Sequence, residues 1–192
     1  MYRKVLLLCL VAFVASCSQW RMKNEIESFS KESICLPADL EIVQDGVVLP
    51  DSLSQTLTDP IKLILYFAAD RCTSCVIGRL HDYEKIFRLR MENQFSPTII
   101  FSPKDEPREY KALIADLKFQ SLPYPIYIDK HSEFQQLNPK FPEDTRYHTF
   151  LLDKNNRVVL VGNPLASDAM WSLFKSTLDN MLAHGGVYVP EK

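Results

Sequence analysis

No internal repeat and no low-complexity run interrupts the 192 residues of this chain, which argues against a solenoid and against a long disordered segment. No basic patch with interleaved aromatics occurs, and 22 Lys and Arg are set against 24 Asp and Glu, so no nucleic-acid partner is expected. The cysteine pair Cys72-Thr73-Ser74-Cys75 has no second CxxC and no HxxxH pair to complete a four-ligand structural zinc site. The apolar run Val5 to Ala15 is too short to make a good membrane span. What remains is one domain with a sizeable core, built on few cysteines.

The N-terminus reads as a targeting segment: Arg3 and Lys4 precede the apolar run, and small residues follow it. Val14-Ala15-Ser16-Cys17 resembles the bacterial lipobox, which implies cleavage before Cys17, diacylation of its thiol and a further acyl chain such as palmitate on its amine. Residues 1–16 are then a lipoprotein signal peptide, 17–37 a lipidated tether and 38–192 the folded domain. Two acyl chains exceed the one-chain limit for stable anchoring, so the mature chain is expected to stay on a membrane, on the exported side, in the periplasm or cell envelope. The alternative is an ordinary signal peptide with an incidental cysteine. Removing Arg3 and Lys4 leaves a modestly acidic chain. Of the five cysteines, Cys9 leaves with the signal and Cys17 is lipidated, so Cys35, Cys72 and Cys75 remain in a compartment that permits disulfides.

Cys72 and Cys75 follow the apolar run Ile61 to Phe67 and open a segment of helical periodicity. A thiol at a helix N-terminus sits among unpaired N–H groups at the positive end of the dipole, which favours its thiolate; Cys72 is therefore the expected nucleophile. Cys75, three residues on, lies about one turn away and is placed to attack a mixed disulfide at Cys72 and release the substrate. Arg71 adds a positive charge that would lower the Cys72 pKa. The same spacing also serves inert disulfides and zinc sites.

Leu40 to Leu49 alternates around Gln44-Asp45-Gly46, a hairpin signal. Lys62 to Phe67 is apolar on both faces, as in a strand buried in the middle of a sheet. Val76, Leu80, Tyr83 and Phe87 predict one amphipathic helix running from Cys75 onward. Thr98 to Phe101 and Tyr124 to Asp129 read as strands, Pro107 to Leu117 as a helix, Glu133 to Leu137 as a short helix and Pro139 to Pro142 as a loop. Thr149 to Asp153 and Val158 to Val161 form a hairpin whose Asn155-Asn156 turn tolerates positive φ. Ser167 caps a last helix through Ala183, with Met170, Phe174, Leu178 and Met181 on its buried side. Ser18 to Lys31, polar with scattered Trp20, Met22, Ile26 and Phe29, reads as part of the tether, with some nascent helix.

This order is similar to a thioredoxin-like α/β fold: a central mixed sheet flanked by helices, here with an N-terminal hairpin extension. Tyr66-Phe67-Ala68-Ala69-Asp70-Arg71-Cys72-Thr73-Ser74-Cys75 resembles the strand-loop-CxxC segment of the TlpA-like membrane-anchored thiol:disulfide oxidoreductases, and His148-Thr149-Phe150-Leu151-Leu152-Asp153 resembles their Thr-Thr-Phe-Leu-Ile-Asp strand. The resemblance implies that Cys72 attacks and Cys75 resolves, with no organic cofactor, protein thiols and disulfides as substrates, and an upstream redox donor. Three positions depart from it. Arg71 stands where the family has Trp, Ser74 where it often has Pro, and Tyr147, before His148, where it has a cis-proline facing the dithiol. A non-proline cis bond costs about 3 kcal/mol, so Tyr147 is expected to be trans in a reshaped loop.

Without that proline, a copper- or zinc-binding module is a second reading, with Cys72, Cys75 and His148 as two soft ligands and an imidazole. A redox-inert binding domain with a disulfide staple is a third. A peroxidase is disfavoured because Ala69, not Thr, precedes Cys72 by three. His81, His131 and His184 read as surface residues, Asp82 and Glu84 as solvated carboxylates, and Cys35 as a free thiol, an intermolecular partner or a third redox thiol.

Overall fold

The computed structural model describes Trp20 and residues 22–51, 59–68, 73–90, 94–104 and 106–190. The roles expected of Cys17, Ala69, Arg71 and Cys72 fall outside the described residues. Seven strands form one mixed sheet in the order β2-β1-β5-β4-β3-β6-β7, and helices cover both faces.

The hairpin β1 (Leu40–Gln44) and β2 (Val47–Asp51) turns on Asp45 and Gly46, both at positive φ (49° and 74°), as an Asp-Gly turn requires. It joins the sheet through antiparallel pairing of β1 with β5 (Ile126–Ile128). Glu41 of β1 accepts hydrogen bonds from Lys130 and Tyr110, tying the hairpin to the end of β5 and to the helix that covers it. Burial pushes the Glu41 carboxyl up, but the hydrogen bonds from Lys130 and Tyr110 and the Lys130 charge outweigh it and leave the group below its ordinary value.

β3 (Ile61–Ala68) lies inside the sheet, parallel to β4 (Phe95–Ser102) and antiparallel to β6 (Thr149–Leu152), and is buried on both faces through Tyr66. Its alternation sorts the core. Ile61, Leu63 and Leu65 face one layer with Ile77, Leu80, Ile86, Phe174 and Leu178, whereas Ile64 and Tyr66 face the other with Phe29, Phe134 and Phe150. β4 begins earlier than the expected Thr98 and runs through Pro97, a stretch that its neighbour β5 does not reach, since their pairing starts at Ile99.

Three differences from the sequence reading stand out. First, the long helix expected after Cys75 is broken into α2 (Thr73–Ile77), a 3-10 turn (Leu80–Tyr83) and α3 (Glu84–Arg90). Gly78, the poorest helix former after proline, sits at the break, and Arg79 and Asp82 donate to carbonyls three residues back, tightening the chain into the 3-10 turn. The apolar stripe survives because the pieces stay in register against the sheet: Leu80, Tyr83, Ile86 and Phe87 are all buried.

Second, the tether assigned to 17–37 is folded from residue 22 onward. Residues 22–29 form a helix, α1, whose Phe29 is fully buried, and Ser33 pairs with Arg157 beyond it. The packed body therefore begins well before residue 38. Third, Met170 is only half-buried, at the lip of a groove, while Phe174, Leu178 and Met181 are buried as expected.

Elsewhere the elements fall where the sequence places them. α4 (Pro107–Gln120) starts on a proline, and α5 (Glu133–Leu137) is capped by buried Asp129, which accepts from the Glu133 and Phe134 N–H groups. β7 (Val158–Val161) returns from β6 through Asn156 at φ 58°, with Asp153 accepting from the Asn155 and Arg157 N–H groups. Ser167 accepts from Met170 N–H to start α6 (Asp168–Ala183). Among the described residues no helix is long and apolar enough to cross a membrane.

Candidate active site

β3 delivers the chain at its C-terminal end to α2. Cys75 sits in α2, exposed and disulfide-bonded, whereas Cys35 is exposed and free. Because α2 has five residues instead of the long helix expected, fewer aligned peptide dipoles add up at its N-terminus than the sequence suggested. α2 is anchored to the rest of the fold by Ser74, whose hydroxyl donates to Asp116 of α4 at 3.0 Å. Nothing in the sequence pointed to that pair, which joins residues 42 apart.

Cys75 opens onto a groove of about 1180 Å³. Val76 and Arg79 stand beside Cys75, Tyr66 and Phe67 come from the end of β3, Thr145, Arg146 and His148 from the loop before β6, and Gly162, Asn163 and Met170 from the turn after β7 and from α6. The loop reaches this place because the β3–β6 ladder continues past its last strand pair: Leu65 pairs with Thr149, and the Tyr66 N–H donates to the His148 carbonyl at 2.9 Å. Gly162 is at φ 127°, and a Cβ there would lie 2.9 Å from Met170 Cε, so the turn admits only glycine without displacing the groove wall. Asn163 bridges to Tyr83, donating to its hydroxyl at 2.9 Å.

Tyr147 ends a 3-10 turn (Thr145–Tyr147), and no cis peptide bond occurs among the described residues, in agreement with the trans, reshaped loop expected. The turn is held by Asp144. Its carboxylate accepts from the Arg146 backbone N–H at 2.9 Å and from the Arg146 guanidinium at 2.9 and 3.0 Å. Hydrogen bonds from the Arg146 side chain and backbone, in that order, lower the Asp144 pKa to about 2. A lowered folded-state pKa means that the contribution of Asp144 to holding the turn is complete above the ordinary aspartate value, near 3.9, and is lost as pH falls through about 2. The Asp144 carboxyl-carbon shift is accordingly expected to titrate near 2; a midpoint at the ordinary aspartate value would show that the Arg146 pair does not form in solution.

His148 is buried. Its Nε2 lies 2.8 Å from the Pro142 carbonyl, which can only accept, so Nε2 carries the proton. The ring packs between Phe141 (4.4 Å between centroids) and Tyr66 (5.8 Å). His148 and Cys75 thus share the groove, as the sequence allowed, while Nε2 is already committed to the backbone. Among the described residues no group of three His, Cys, Asp or Glu side chains is placed to hold a metal.

Of the other sequence candidates, Asp82 borders the groove as well, and the rest lie apart from it. His81, His131 and His184 are exposed. Asp82 and Glu84 pair with Arg79 and Arg88 on the surface. Cys35 follows Ile34, which packs on the sheet face opposite Ile77, and its backbone is held by Asn138 through a reciprocal pair of hydrogen bonds of 2.9 and 2.8 Å.

The sheet, its flanking helices and a disulfide-bonded cysteine just beyond β3 define a thioredoxin-like fold. Comparison with solved structures agrees. The chain is similar to the solution structure of a proposed protein disulfide isomerase from Bacteroides thetaiotaomicron (TM-score 0.50, 18% identity, 81% of this chain and 92% of that one). It is also similar to AhpC from Enterococcus faecalis (TM-score 0.51, 14% identity, 84% and 98%). At these identities the likeness is one of fold. No protein-family model matches the sequence, and no curated protein matches it.

Proposed function

We propose that this chain exchanges thiols and disulfides with exported proteins through Cys72 and Cys75, held on the membrane by lipid on Cys17. The observation that carries this reading is Cys75 itself: exposed, disulfide-bonded and open to a groove large enough for an extended peptide. In the reducing direction the Cys72 thiolate attacks a substrate disulfide, and one substrate sulfur leaves as thiolate. Cys75 then attacks Cys72, the second substrate thiol is released, and the Cys72–Cys75 disulfide closes. Two electrons pass to the substrate, and an upstream dithiol donor restores the pair. Arg71 adjoins Cys72 in sequence and supports its thiolate, while Tyr147 and His148 belong to the loop that bounds the groove. The fold shared with a proposed disulfide isomerase is compatible with this chemistry.

The test is the reduction potential of the couple in the full chain, equilibrated in defined thiol/disulfide buffers without metal, with free thiols counted by mass spectrometry. A reversible couple between about −270 and −120 mV is expected. A disulfide still closed well below about −300 mV would replace this reading with a structural staple. Thiols that resist oxidation until metal is stripped would replace it with a metal-binding module using Cys72, Cys75 and His148.

A further inference from the structure

The loop from Asn138 to His148 borders the groove beside Cys75, and it is irregular apart from one 3-10 turn. Its internal ties include a 3-10 turn, the Asp144–Arg146 pair, the Phe141 N–H donating to the Asn138 carbonyl and His148 Nε2 donating to the Pro142 carbonyl, and Tyr147, unlike a proline, does not lock φ. A second element lies along its length. Residues 22, 25 and 29 are spaced three and four apart, so they share one face of α1, and this face meets the loop in antiparallel order. Met22 touches both Tyr147, through its hydroxyl, and Arg146. The Glu25 carboxylate accepts the Glu143 backbone N–H at 2.8 Å. Phe29 packs edge-on against Phe141 at 5.7 Å between centroids, and Glu32, just past the helix, pairs with Lys140 at 2.7 Å. Going down the N-terminal segment from 32 to 22, these partners climb from 140 to 147.

We infer that α1 is a positioning element for the substrate groove: Met22 and Glu25 hold the 143–148 loop at the height where Arg146 and His148 form the wall opposite Cys75. The energetic logic is that of a loop ordered in advance. Contacts from a helix whose far end is nailed down by buried Phe29 remove the cost of ordering the loop when a substrate arrives. Neither Met22 nor Glu25 lines the groove, so they act only through the loop. The kinetic part of this inference rests on the exchange reaction proposed above; the structural part does not.

The experiment compares the full chain with the Met22→Ala/Glu25→Ala double variant by hydrogen exchange and by kinetics, with Glu25→Gln as the conservative control because its amide oxygen still accepts. Exchange at the amides of residues 143–148 is expected to become about tenfold faster in the double variant, with β3 and β4 unchanged and the Gln variant close to wild type. With insulin as the disulfide substrate, KM is expected to rise about tenfold while kcat and the reduction potential stay put. Unchanged exchange at 143–148, or exchange accelerated equally throughout the sheet, would overturn the inference. If the wild-type chain does not turn over insulin, the exchange reaction fails as a function, and the amide data still decide the role of α1.

Discussion

Replacing Cys75 by serine is expected to stop turnover at the level of uncatalysed exchange while leaving a one-to-one mixed disulfide between Cys72 and its substrate. The reason is the order of events. The first attack needs only the Cys72 thiolate and an accessible substrate disulfide, whereas release needs a second thiol within reach of the new bond. Cys75 lies in α2, tied to α4 through Ser74 and Asp116, so no other described cysteine can take its place: Cys35 sits beyond the opposite face of the sheet. Cys72→Ser is expected to lose both steps and to trap nothing. Non-reducing electrophoresis with intact-mass measurement reads the adduct directly. Sustained multiple turnover by Cys75→Ser would place the resolving thiol elsewhere, and trapping by Cys72→Ser would place the attacking sulfur elsewhere.

Phe29→Ala is expected to destabilise the fold by about 3–5 kcal/mol, the usual cost of emptying a buried aromatic site. Phe29 is fully buried, with its ring edge-on to Phe150 at 5.1 Å and to Phe141 at 5.7 Å, so deletion leaves a void inside the aromatic cluster that also holds Tyr66 and Phe134. In a solvated tether the same change would stay within about 0.5 kcal/mol. Denaturant unfolding of the full chain separates the two: a large fall in midpoint at unchanged slope marks Phe29 as core, and an unmoved midpoint would return residues 22–37 to the tether.

Much of the fold was legible because strands and turns are local statements. Alternation identified the first hairpin, a run apolar on both faces identified the buried β3, two apolar runs about an Asn turn identified the Thr149–Val161 hairpin, and Asp45-Gly46 and Asn156 identified the positive-φ turns. Ser167 before an apolar stripe located α6 to the residue. The docking of α1 was half visible. Met22, Ile26 and Phe29 have helical spacing, but a short apolar stripe in a polar segment does not reveal that a cluster of Phe134, Phe141 and Phe150 waits on the sheet to receive it. The break at Gly78 was hidden for the opposite reason: the periodic stripe runs through it, because α2, the 3-10 turn and α3 still bury one side.

The candidate site divides in the same way. Cys72-Thr73-Ser74-Cys75 after an apolar strand is a pattern of neighbours in sequence, and so is the placement of His148 before Thr149. Which side chains share a groove is not. The meeting of Cys75 with Arg146, Asn163 and Met170 depends on β3 lying next to β6 and on the turn after β7 folding back over the sheet end.

Local backbone preference and burial period, both carried by residues a few positions apart, determined the strands, the turns, the cysteine pair and the trans peptide at Tyr147. Only the tertiary structure decided that His148 is a packed ring donating through Nε2 to the Pro142 carbonyl, that Asp144 clamps Arg146 beside the groove, and that an N-terminal helix braces the loop between them. The contacts of that helix with the loop join residues up to 125 positions apart. Their energies exist only once the sheet has brought its ends together, so no window of sequence could contain them.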